Sequence, residues 1–146
     1  MTATEPVETN KDLIRGVYEA INERRDGDLS ALYSSDCVIH AGPGATGVLS
    51  GREGIAQQTR VTREAFPDIT ATIEAMIAEE DLVTARVSYD ATHQGEYLGV
   101  PATGNDVRFE GTNVFRIEAG EIAEVWPMID TLGVLQQLGV SELPDA

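Results

Sequence analysis

Hydrophobic and polar positions change their period once along the chain, and the change divides helices from strands. Between residues 10 and 25, Leu13, Ile14, Val17, Tyr18 and Ile21 recur at three- and four-residue spacings, which places them on one helical stripe. Thr9 or Asn10 suits the cap of that helix, and residues 1–9 read as a polar tail. Arg24-Arg25-Asp26-Gly27-Asp28 ends it, Asp28 can cap a short turn through Leu29, Leu32 and Tyr33, and Cys37-Val38-Ile39-His40 reads as a brief strand. A glycine-rich loop over residues 41–50 leads to a second long helix from Gly51 or Arg52 to Phe66, stopped by Pro67-Asp68.

From Ile69 the period becomes two. Ile69, Ala71, Ile73, Ala75 and Ile77 alternate with polar residues, and Leu82 to Tyr89 forms a second strand after Glu79-Glu80-Asp81. A polar crossing from Asp90 to Asp106 leads into a hairpin. On its first arm Val107, Phe109, Gly111, Asn113, Phe115 and Ile117 share a face; Glu118-Ala119-Gly120 turns the chain. On the second arm Ile122, Glu124, Trp126, Met128 and Asp130 share a face if the strand stays extended past Pro127. A last helix from Asp130 to Leu138 packs through Leu132, Leu135 and Leu138. Helices first and antiparallel strands afterwards predict an α+β architecture, with helices on one face of a curved antiparallel sheet. Residues 10–140 form a single domain and 141–146 a C-terminal tail; no repeat or linker divides the chain.

Composition narrows the function classes. Net charge is −15, from 25 acidic and 10 basic residues, and Lys11 is the only lysine. Strong acidity with lysine nearly eliminated resembles proteins of salt-rich cytoplasm, where screening makes self-repulsion tolerable. It excludes a basic stripe for nucleic acid. No apolar run approaches the roughly 18 residues of a membrane span, and the start has neither a basic nor an apolar leader region, so a cytoplasmic protein is expected. Cys37 has no partner for an internal disulfide and reads as a small strand residue.

Several residues invite chemistry. Gly42-Pro43-Gly44-Ala45-Thr46-Gly47 matches a dinucleotide-binding pattern in letters, but Val48-Leu49-Ser50 separate it from the helix and no alternating βαβ order supports it. His40 and His93 lack metal-ligand spacing. His40 either lines a cavity or is a satisfied core residue; His93 and Tyr97 either edge a pocket or lie on an exposed crossing. Trp126 is either core or a flat wall for a ring-shaped ligand. Asp130 has two readings. Beside Trp126 and Met128 it would lose hydration, and its pKa would rise toward that of a general base. As the residue before Thr131-Leu132-Gly133 it would cap the last helix, worth about 1 kcal/mol.

Leu49-Ser50-Gly51-Arg52-Glu53-Gly54, His93 to Pro101, and Gly120 to Asp130 followed by Leu135-Gln136-Gln137-Leu138-Gly139 together resemble the SnoaL-like polyketide cyclases, or ester cyclases. The resemblance covers residues 10–140. It implies a nuclear transport factor 2-like (cystatin-like) cone of curved sheet closed by helices around an apolar cavity. It also implies cofactor-free aldol-type ring closure, with an acid at the position of Asp130 removing a proton alpha to a carbonyl. The family's histidine near that acid has no counterpart on the penultimate strand, which offers Asn113 and Arg116 instead.

The expected function is therefore a cyclase or isomerase acting on a small apolar carbonyl compound. Asp130 is the expected base, with Asn113 and His93 as catalytic partners. Trp126, His40, Tyr18, Tyr33, Phe109, Phe115, Met128 and Tyr97 are the expected substrate contacts. No metal, cofactor, nucleic acid or membrane is expected, and a homodimer or higher homo-oligomer is. Two alternatives remain: a non-catalytic binding protein for a hydrophobic metabolite, and an epoxide hydrolase using Asp130 with Glu124 and Arg116.

Overall fold

The computed structural model describes residues 4–40 and 47–142. Four helices and six strands follow in the order α1 (Thr4–Asn22), α2 (Asp26–Ala31), β1 (Tyr33–His40), β2 (Val48–Ser50), α3 (Gly51–Ala65), β3 (Thr70–Glu79), β4 (Leu82–Thr92), β5 (Asp106–Glu118), β6 (Glu121–Ile129) and α4 (Thr131–Gln137). The expected N-terminal tail is corrected in part. Residues 4–9 belong to α1, and Pro6 is compatible with that because the first helical N–H groups have no intrahelical acceptor. Residues 1–3 of the N-terminal tail, 41–46 of the glycine-rich loop and 143–146 of the C-terminal tail lie outside the described residues.

The strands form one curved sheet in the order β2-β1-β6-β5-β4-β3. All neighbours are antiparallel except β1 and β6, which run parallel with Ile39 opposite Val125. That pair joins segments more than eighty residues apart, so local alternation gave no sign of it. The helices cover one face. Asn22 at the end of α1 clamps Ala71 of β3 on both sides of its peptide: its Nδ2 donates to the Ala71 carbonyl at 2.9 Å, and the Ala71 N–H donates to Oδ1 at 2.7 Å. The expected apolar stripe of α1 is thereby held over the sheet, with Ile14, Val17 and Tyr18 buried. No helix among the described residues is long and apolar enough to cross a membrane.

Alternation along β5 is regular, and Val107, Phe109, Gly111, Asn113, Phe115 and Ile117 all face inward as expected. On β4 the inward row is Val83, Ala85, Val87, Tyr89 and Ala91. Strand β6 breaks the pattern. Ile117 pairs with Ile122 but Arg116 pairs with Glu124, so Ala123 is one residue too many on β6, a β-bulge. Beyond it the two faces exchange. Val125, Pro127 and Ile129 stand opposite Phe115, Asn113 and Gly111 and face inward. Glu124, Trp126, Met128 and Asp130 point to the outer side, which corrects their expected place in the cavity.

Candidate functional site

Between the inward sheet face and helices α1 to α3 lies a cavity of about 250 Å³. Val17, Tyr18 and Ile21 of α1, Ile55 and Thr59 of α3, Phe66, Asn113 of β5, and Val125, Pro127 and Ile129 of β6 line it. Tyr33 and Tyr97 also line it, as expected, together with Phe109 and Phe115. Among the described residues no carboxylate or imidazole does. The one cation among the described lining residues is Arg63, whose Nη2 is held by Asp26 at 3.0 Å and by the Ile21 carbonyl at 2.8 Å, while its buried Nη1 has no hydrogen-bond partner among the described residues.

Gln57, Gln58, Thr59, Thr62 and Arg63 make the α3 side of the cavity polar, and a buried polar cluster stands in the otherwise apolar lining opposite. Asn113, 6% exposed, donates from Nδ2 to the Tyr18 hydroxyl at 2.9 Å and to the Tyr89 hydroxyl at 3.3 Å. Its Oδ1 accepts the Met128 N–H at 3.3 Å. Phe115 meets the Tyr18 ring edge-on with centroids 6.5 Å apart, and Phe109 stacks on Tyr89 at 5.0 Å, so both phenols are fixed by aromatic packing. Burial raises the pKa of Tyr18 well above the ordinary phenol value, while the bond from Asn113 pulls it back. Burial likewise raises Tyr89 and Tyr97. Both cluster hydroxyls are therefore neutral donors at any physiological pH.

Five expected site residues lie elsewhere. Asp130 is exposed and caps α4, its Oδ1 accepting the Gly133 N–H at 2.9 Å. The inward position opposite Asn113 is held by Pro127 rather than by an acid. Met128 is 72% exposed and Trp126 36% exposed on the outer side. His40 stacks on Trp126 with centroids 5.0 Å apart, and its Nε2 meets Glu124 Oε2 at 2.6 Å. Glu124 also accepts from Arg116 at 3.1 Å; the bond from His40, then that from Arg116, holds it below the usual carboxylate range. This network on the outer side occupies both residues of the hydrolase alternative.

His93 is completely buried but stands behind the cavity wall, 5.7 Å from the Phe66 ring. Its Nδ1 accepts the Thr103 N–H at 3.1 Å, which puts the ring hydrogen on Nε2. With the His93 N–H bonded to Asn105 and the His93 carbonyl to Gly104, the ring ties the crossing between β4 and β5 together. Sequence reasoning missed Tyr89. The signal was present: Val83, Ala85 and Val87 alternate on β4 and carry Tyr89 onto the same inward face.

A six-stranded curved sheet, helices on one face and a largely apolar cavity between them define a cone of the nuclear transport factor 2-like type. The family model for the SnoaL-like polyketide cyclases matches residues 11–138, and the chain belongs to that family. It is 31% identical over 138 residues to the aklanonic acid methyl ester cyclase DnrD of Streptomyces peucetius, covering 90% of this chain and 91% of that protein. Among solved structures, IdmH of Streptomyces antibioticus, provisionally assigned as a polyketide cyclase, is 34% identical. It superposes with a TM-score of 0.76 over 90% of this chain and 99% of its own. AclR of Streptomyces galilaeus, provisionally assigned as a hydroxylase, has a TM-score of 0.82 at 28% identity, over 95% of this chain and 87% of its own.

Proposed function

We propose that the protein is a cofactor-independent cyclase or isomerase that acts on a small apolar compound bearing carbonyl groups, by intramolecular aldol-type chemistry. The observation that supports this reading is the largely apolar cavity, open on one side, with the buried polar cluster of Tyr18, Asn113 and Tyr89 in its wall. Burying an apolar ring there contributes roughly 25 cal/mol per Å² removed from water. Walls of fixed shape hold a flexible chain in a reactive fold. Similarity to an ester cyclase supports a carbonyl-bearing substrate.

Asp130 remains the candidate proton acceptor, and it has a competing role. A general base loses at least about a hundredfold in rate on Asp130→Asn; a helix cap loses about 1 kcal/mol of stability with the rate intact. Its exposure and its bond to Gly133 support the cap. The second reading, a non-catalytic holder of a hydrophobic carbonyl compound, is favoured by the cavity wall itself, which among the described residues offers no carboxylate or imidazole.

One experiment separates them. Methyl 3-(2-naphthyl)-3-oxopropanoate is bound in deuterated buffer, and loss of the proton between its carbonyls is followed by NMR. Exchange faster than in buffer supports the catalytic reading; saturable binding without acceleration leaves only the holder.

A further inference from the structure

The hydrogen atoms of the buried cluster can be assigned one by one. Asn113 Oδ1 accepts the Met128 N–H, so the amide is oriented with its NH2 group toward the two phenols. That NH2 has two hydrogens. It stands 2.9 Å from the Tyr18 oxygen and 3.3 Å from the Tyr89 oxygen, so each hydroxyl receives one. No hydrogen is left on Asn113 for a ligand oxygen, which removes a direct role as donor to a carbonyl. The hydroxyls are in the opposite condition. Each accepts from Asn113, and apart from the contact between the two hydroxyls themselves neither donates to another protein group among the described residues; both rings line the cavity.

We infer that the Tyr18 and Tyr89 hydroxyls form a two-donor site for one oxygen of the bound carbonyl compound, with Asn113 as the positioning residue that turns both hydrogens toward it. The inference rests on the reading of the cavity as a site for carbonyl compounds and adds which atoms hold the oxygen. Two converging phenol donors favour an oxygen that gains negative charge, as a carbonyl does on becoming an enolate. The site is built from three elements, α1, β4 and β5, and locked by the backbone of a fourth, β6. Its spacing therefore depends on the whole fold rather than on one loop.

The test compares 2-acetylnaphthalene with 2-isopropenylnaphthalene, which replaces C=O by C=CH2 at nearly the same shape. Affinity is read by titration calorimetry and the ketone stretch by infrared difference spectroscopy. Wild-type protein is expected to prefer the ketone and to lower its stretching frequency relative to the ketone in hexane. Tyr18→Phe and Tyr89→Phe each reduce the preference about fivefold, the worth of one neutral hydrogen bond. Asn113→Asp is the sharper variant. Its carboxylate accepts from both phenols and so consumes both hydrogens, and the preference and the frequency shift vanish although every hydroxyl is still present.

If ketone and hydrocarbon bind wild-type protein equally, with the stretch as in hexane, the two-donor site is overturned while the cavity reading stands. Persistence of the full preference in both phenylalanine variants overturns it too. Failure of both probes to bind wild-type protein defeats the cavity reading itself and takes the donor site with it. Should the variants not fold, tyrosine labelled at Cζ in wild-type protein decides. Two of the four ring resonances move with the ketone and stay with the hydrocarbon, or the inference is wrong.

Discussion

Asn113→Leu tests the energetics of the cluster directly. The substitution keeps side-chain size and removes three hydrogen bonds at once: two to phenol oxygens and one from the Met128 N–H. The Met128 N–H is left without its partner, at about 1–3 kcal/mol if water does not reach it. The two phenols lose about 1 kcal/mol each but regain part of it by turning toward one another. Burying two extra apolar carbons returns about 1 kcal/mol. The net expectation is a loss of roughly 2–3 kcal/mol, read as a lower urea midpoint at unchanged slope. For a chain of this size that corresponds to a fall in melting temperature of roughly 4–12 °C. The stronger statement concerns coupling. In wild-type protein Tyr18→Phe and Tyr89→Phe each orphan an Asn113 hydrogen and are costly. In the Asn113→Leu background the same changes remove groups that have already lost their partner, so they should be close to neutral. A coupling energy of about 1–2 kcal/mol per pair is expected from the double-mutant cycles. Additivity within about 0.5 kcal/mol would show that the three groups do not act as a unit, and the cluster would lose its structural meaning.

Three further outcomes follow from particular residues. All four tyrosines, Tyr18, Tyr33, Tyr89 and Tyr97, have pKa values raised by burial. A raised folded value contributes stability that is complete below the unfolded phenol value of about 10 and is lost as pH rises through the folded values. Native protein should therefore show almost no tyrosinate absorbance at 295 nm at pH 10, with ionisation appearing together with loss of circular dichroism; ionisation with intact dichroism would contradict the burial. Gly95→Ala should lower stability by about 1–3 kcal/mol in urea, because a Cβ there overlaps the Glu64 backbone carbonyl, which cannot turn aside; an unchanged midpoint would mean the crossing does not sit against the end of α3. Deleting Ala123 should leave a folded protein, because it removes the bulge and keeps Glu124 opposite Arg116, whereas deleting Val114 from the regular run of β5 should abolish folding. Equal damage from both deletions in circular dichroism would refute the register.

Most of the fold was legible because most of its elements obey one period. The α1 stripe and the inward row of β5 are regular, and each buries the residues that alternation selects. The site was legible only where that regularity held: Tyr18, Tyr33, Tyr97, Phe109, Phe115 and Asn113 meet at the cavity. The misplaced residues on β6 share one cause. Counting by twos from Ile122 leads to Glu124, Trp126, Met128 and Asp130, but the bulge at Ala123 consumes a residue and reverses the count. Composition held a hint that period alone did not. The row Val125, Pro127, Ile129 is apolar throughout, whereas the competing row carries two carboxylates, and the face of a sheet turned to an apolar cavity is the one without them. The parallel partner β1 stayed hidden for another reason: its pairing with β6 is made across more than eighty residues, and no local pattern encodes it.

The bulge also determines how the chain's charge bears on the proposed reaction. Net charge is −15, yet the carboxylates of β6 point away from the cavity, and its one lining cation is already paired with Asp26. An anion approaching from solvent meets a repulsive field over about a Debye length, roughly 8 Å at physiological salt and less in brine. A neutral ketone or ester meets none. Inside, a developing enolate meets no carboxylate among the described lining residues, and the lining cation, Arg63, is neutralised by Asp26 while its buried Nη1 stays without a partner. An unpaired charge in such surroundings is costly, so its stabilisation falls to hydrogen-bond donors already aimed at it. The arrangement therefore favours substrates that arrive uncharged and become anionic only at the reacting oxygen. It would discriminate against the corresponding free acids before any contact with the cavity is made.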